Sequence, residues 1–61
     1  MAVYCVMKLV DYEYGYRNIE SMWTTYDHAE NQIEKLGQQI IEMWSGKKEK
    51  LYTIWSYTIE E

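Results

Sequence analysis

Hydrophobic positions along this chain fall into two rhythms. From Ala2 to Val10 they alternate: Val3, Cys5, Met7 and Leu9 share one parity, and Tyr4, Val6, Lys8 and Val10 the other. Successive residues of a β-strand point to opposite faces, so this stretch predicts a strand with two distinct sides. The first set is uniformly apolar and is expected to meet a covering helix. The second is interrupted only by Lys8. A strand apolar on both faces belongs in the middle of a sheet.

From Thr25 to Ser45 the rhythm changes to three- and four-residue steps through Tyr26, Ala29, Ile33, Leu36, Ile40 and Trp44, the spacing of one face of an α-helix. Thr24 or Thr25 can supply the N-cap oxygen, and Asp27 places a negative charge where the helix dipole favours it. Ser45-Gly46 followed by Lys47 and Lys48 reads as the C-terminal end. Gly37 falls on the buried stripe. It is expected to admit a large ring from the sheet, Trp55 or Trp23, with a helix break at Leu36-Gly37 as the alternative. Ile40, Ile41, Met43 and Trp44 broaden the apolar arc to about 160°, more than one sheet needs. Either the last strand or a second subunit is expected to cover it.

Between these stretches, Asp11 to Gly15 reads as a hairpin connection, with Tyr12, Tyr14 and Tyr16 clustered around it. Tyr16 to Trp23 is a more polar strand suited to a sheet edge, with Ile19 and Trp23 sharing a parity toward the helix. Leu51 to Ile59 is a strand of good β-formers whose two faces parity alone does not rank. The order β-β-α-β predicts an α+β fold: a three-stranded antiparallel sheet in the order 2-1-3 with one helix on one face. All 61 residues form one domain.

VYCVMKLVDYEYG, then IESMWTTYDHAENQIEKL and LYTIWSYTIEE, resemble a family of short uncharacterised bacterial and phage proteins. The shared features are strand parities, the Ala29-Glu30 pair and Leu36. The resemblance implies a fold and no activity. The chain departs from it at Gln38 to Trp44, an apolar helical extension where such proteins enter a loop.

Composition narrows the chemistry. One cysteine and one histidine rule out an internal disulfide and argue against a structural zinc site. A chain this short then reaches stability most readily by oligomerising, so a homodimer is expected. The lack of disulfides fits the cytoplasm, the host's if the protein is phage-encoded. No apolar run is long enough for a membrane span. A net charge of −4 disfavours direct nucleic-acid binding. Seven tyrosines, three tryptophans and no phenylalanine suggest rings with one wet side or a partner.

No catalytic, metal or cofactor set emerges. Cys5 reads as a small buried hydrophobe, His28 as a surface residue, and Glu30 with Glu34 as neighbours that flank no cleft. The expected function is a non-enzymatic protein-interaction module, a homodimeric phage-type inhibitor of a host defence or regulatory protein. Its sheet face opposite the helix is expected to carry Tyr4, Val6, Val10 and Tyr12. Tyr14, Ile41, Met43, Trp44 and Tyr52 complete the candidate interface, and Val6→Glu or Tyr4→Glu is expected to split the dimer without unfolding it. The alternative is a nucleotide-binding protein in which Tyr14, Tyr52 and Trp55 stack on a base and Arg17, Lys47 or Lys48 meets phosphate. Acidic mimicry of nucleic acid ranks last.

Overall fold

β-Branched and aromatic residues build the main sheet, and a computed structural model describes residues 1–60 of it and its surroundings. Strand β1 (Ala2–Leu9) is central, with β2 (Arg17–Trp23) on one side. After helix α1 (Tyr26–Leu36) come β3 (Ile40–Glu42), β4 (Lys48–Lys50) and β5 (Tyr52–Thr58). The main sheet has the order β2-β1-β5, antiparallel throughout. This is the α+β arrangement and strand order that the sequence predicts. The second, two-stranded sheet of β3 and β4 is not anticipated.

That second sheet exists because the helix stops early. Thr25 caps it as expected: its Oγ1 accepts from the His28 N–H at 3.2 Å. After eleven helical residues Gly37 takes φ 89°, and its N–H closes the last turn on the Ile33 carbonyl. Positive φ suits glycine, so the chain leaves the helix there. Beyond it, the β-branched pair Ile40-Ile41 favours extended backbone. Ile40 faces Lys50, Ile41 faces Glu49 and Glu42 faces Lys48. The expected helix to Ser45 is therefore corrected to one ending at Leu36, with the following segment folded into a hairpin. Gly37 holds no ring: nothing lies within 4 Å of where its Cβ would be.

The helix also covers the other face of β1 from the one expected. Val6 and Ala29 are both fully buried and belong to one core with Leu9, Met43, Leu51 and Tyr52. Tyr4, Trp23, Ile33, Ile41 and Ile54 pack around it. Val3, Cys5 and Met7 form a separate cluster on the opposite side. Alanine brings the helix backbone close to the sheet, and Val6 with Tyr4 fills the space beneath it. A bulge explains a further departure. The β1–β2 register slips between Val6 and Met7, so Val6 faces Ser21 while Met7 faces Ile19. The extra residue, Glu20, inverts the alternation along β2. Trp23 consequently shares the helix side with Tyr4, and Ile19 lies on the other face.

Asp11 organises the β1–β2 connection. Its Oδ1 accepts from the N–H groups of Glu13 and Tyr14 at 2.8 and 3.2 Å, and its carbonyl from Gly15. Such side-chain turns are the usual use of aspartate between strands. Gly15 has φ 81°, and a Cβ there would sit 3.5 Å from the Met43 methyl. The Trp44 N–H donates to the Tyr12 carbonyl at 3.0 Å, tying the small hairpin to this loop. Arg17 fastens the same end, donating to the Leu51 carbonyl at 3.0 Å and the Lys50 carbonyl at 2.7 Å.

Candidate interaction surface

The face of the main sheet turned away from α1 is largely apolar and, among the described residues, has no second layer. Its rows follow from the register. Met22, Cys5 and Trp55 lie side by side across the three strands; Ile19, Met7 and Thr53 form the next row; Val3 faces Tyr57. The central residues are shielded by their neighbours: Val3, Cys5 and Met7 are buried. The flanking ones are not. Ile19 is 55% exposed, Met22 59%, Trp55 49% and Tyr57 47%. A contiguous apolar sheet face of this kind marks a contact surface, whereas isolated exposed apolar residues do not. Methionine adapts its shape to a partner, and tryptophan and tyrosine anchor interfaces.

The interface residues expected from the sequence divide into two groups. Val6 and Tyr52 are buried in the core, Met43 is buried against Gly15, and Ile41 is half-buried beside it. Tyr4 is half-buried too, its ring edge-on to Tyr26 at 5.9 Å and 83°. Val6, Tyr52 and Tyr4 lie on the helix side of the sheet, and Met43 and Ile41 close the core where the small hairpin meets the β1–β2 loop, so these five support the fold. Val10, Tyr12, Tyr14 and Trp44 are exposed. They gather with Tyr16 at the end of the molecule where the β1–β2 loop meets the small hairpin, and Tyr14 and Tyr16 stand 6.1 Å apart. Ile19, Met22, Trp55 and Tyr57 were not among the interface candidates. Their place follows from the register against Val3, Cys5 and Met7, because the bulge puts Ile19 and Met22, of opposite parity, on one face.

Groups considered for chemistry are scattered. Cys5 is 1% exposed between Met22 and Trp55, out of reach of a substrate. His28 is exposed, its ring 6.1 Å from that of Trp23. Among the described residues no group of three or more His, Cys, Asp or Glu is placed to hold a metal ion. For nucleotide stacking, Arg17 is already committed to the Leu51 and Lys50 carbonyls, Tyr52 is buried, and Lys47 pairs with Glu49 at 3.1 Å. Tyr14 and Trp55 lie in different regions, at the loop end and on the open sheet face. Tyr26 ionises above the usual tyrosine range. A hydrogen bond to Glu30, reinforced by that carboxylate's negative charge and slightly by burial, raises its pKa.

Among the described residues no helix is long and apolar enough to cross a membrane. Comparisons of the chain with protein-family models, curated proteins and solved structures each find no match.

Proposed function

We propose that this protein is a non-enzymatic interaction module that occludes a protein partner with the open face of its main sheet. The observation that carries the reading is the uncovered row Met22-Cys5-Trp55 with Ile19 and Tyr57 beside it, half-exposed rings and thioether around a buried centre. Its occupant is a complementary apolar protein surface, since the side chains around the buried centre are apolar (Ile19, Met22, Trp55 and Tyr57) and Arg17, at the end of the face, is already committed to the Leu51 and Lys50 carbonyls. The partner we propose, by analogy alone, is a host defence or regulatory protein inhibited by steric occlusion.

The test is capture of partners from host lysate by tagged wild type, Met22→Lys and Trp44→Ala, with mass spectrometry of what is retained. A protein held by wild type and by Trp44→Ala but lost by Met22→Lys supports the reading. Capture that survives Met22→Lys and fails with Trp44→Ala moves the site to the loop end and sinks it.

A further inference from the structure

Among the described residues, the outer edge of β5 has free backbone groups at three positions, and their pattern specifies a partner. The β1–β5 ladder is bracketed by the Leu9 N–H on the Leu51 carbonyl at 2.8 Å and the Ile59 N–H on the Met1 carbonyl at 2.7 Å. Between these, Thr53, Trp55 and Tyr57 face Met7, Cys5 and Val3. Alternation in an antiparallel pair turns the N–H and C=O groups of these odd-numbered residues toward β1. Those of Tyr52, Ile54, Ser56 and Thr58 point away from it. Tyr52 is already satisfied. Its N–H donates to Gln38 Oε1 at 2.9 Å, and Gln38 Nε2 donates to its carbonyl at 2.8 Å. One side-chain amide thus stands where the next strand would, leaving Ile54, Ser56 and Thr58.

Nothing on this edge discourages pairing. Tyr52–Thr58 contains no charge and no proline, and its register with β1 is unbroken. The opposite edge, β2, carries Arg17, Glu20 and the bulge, devices that protect an edge from self-association. We propose that β5 pairs with the β5 of a second copy, antiparallel about a two-fold axis at Ser56, making a six-stranded sheet. Register follows from which groups are free. A symmetric antiparallel pairing that uses all three residues sets Ser56 opposite the partner's Ser56, and Ile54 opposite the partner's Thr58. That gives about six backbone hydrogen bonds, two in each such pair. Trp55 then faces the partner's Tyr57 across the seam, on the open face and twice by symmetry, in the closely spaced kind of pair where aromatic side chains stabilise a sheet. On the helix side, a groove of about 500 Å³ lined in part by Tyr26, Glu30, Ile33, Gln38 and Ile54 opens beside the first residues of β5.

The chain's dimensions suit half of a larger body. Its radius of gyration is 12.5 Å, against about 10.5 Å for a compact domain of this length. It is a slab of 41 × 24 × 14 Å. This pairing uses the edge and leaves the open face free, so it stands whether or not a protein partner covers that face.

The test is light scattering of the full chain at micromolar concentration, with far-UV circular dichroism of each variant. Wild type is expected at about 15 kDa, twice the 7.5 kDa of one chain. Ser56→Pro removes only an outward N–H, which an edge strand tolerates, and is expected to halve that mass. Ser56→Lys sets like charges directly opposite each other and is expected to do the same; it decides the matter if the proline variant loses its strand signal. Met22→Lys is expected to stay at the dimer mass. A monomeric wild type, a dimer unmoved by folded Ser56→Lys, or a dimer split by Met22→Lys overturns the edge pairing. The last result would instead assign the open face to the second copy.

Discussion

Truncating Val6 and Met22 in parallel tests which face of the sheet the helix covers. Val6 is fully buried beneath Ala29, whereas Met22 is 59% exposed on the open face. Val6→Ala deletes two buried methyl groups, about 1.6 kcal/mol of lost transfer free energy at ~0.8 kcal/mol each. The cavity left behind adds roughly another 1 kcal/mol, because α1 and β1 are tied at both ends and collapse incompletely. The whole domain is expected to hold about 3–9 kcal/mol at ~0.05–0.15 kcal/mol per residue. A loss of about 2–3 kcal/mol is therefore a large share of it, and it lowers the melting temperature by about 10–20 °C in a domain of this size. Met22→Ala is expected to stay within about 0.5 kcal/mol, as surface changes do. Thermal melts followed by far-UV circular dichroism decide. Equal losses, or a larger one for Met22→Ala, would mean that the helix covers the opposite face. Val6→Glu, expected from the sequence to split a dimer and spare the fold, should instead leave the chain unfolded.

Two further perturbations probe local features. Gly37→Ala is expected to lower the urea midpoint by the equivalent of about 1–2 kcal/mol, the cost of a left-handed conformation for an L-residue; open space around the site leaves backbone strain as the only source, and an unchanged midpoint would refute the positive φ. Tyr26 should ionise above the usual tyrosine range because Glu30 hydrogen-bonds and repels its phenolate. Since the folded pKa is raised, the associated stability is fully present below the unfolded value and is lost as pH rises through the folded one. Ultraviolet titration of Glu30→Gln should return Tyr26 toward its ordinary value, and an unaltered titration would remove Glu30 as the cause.

The main sheet was legible because each strand carries its own rhythm, and a hairpin followed by one helical crossover leaves few topologies. Thr25 was legible as a cap because hydroxyl, acid and periodic apolar residues follow in order. Two things were hidden. Period two divides β1 into two sets but does not rank two sets that are both apolar, and the decisive residue was outside the strand: Ala29, whose short side chain brings the helix onto Val6. In β2, Glu20 adds one residue to the pairing and sends Ile19 and Trp23 to opposite sides, a shift that no count along β2 alone contains. Placing the exposed candidates Tyr12, Tyr14 and Trp44 required only composition and turn signals, whereas finding Met22 and Trp55 required the register.

The segment that misled the helical reading is also the one that shapes the exposed edge. Ile40, Ile41, Met43 and Trp44 continue the helical spacing from Ile33, so periodicity carries the helix through Gly37. Yet a glycine at positive φ followed by two β-branched residues is a stop and a restart, and between them lie Gln38 and Gln39. A helix running on through Gln38 would have kept its backbone in the helical ladder and its side chain on the helix surface. Released by Gly37, the Gln38 side chain reaches Tyr52 and closes both of its outward groups, while the Gln39 carbonyl accepts the Leu51 N–H at 2.8 Å. The two glutamines therefore fix where the small sheet ends and where the free edge of β5 begins. A free edge of Ile54, Ser56 and Thr58 is centred on Ser56; one residue pair longer, it would be centred between Ser56 and Ile54. The helix terminus, through one amide, sets the register available to anything that pairs with this sheet.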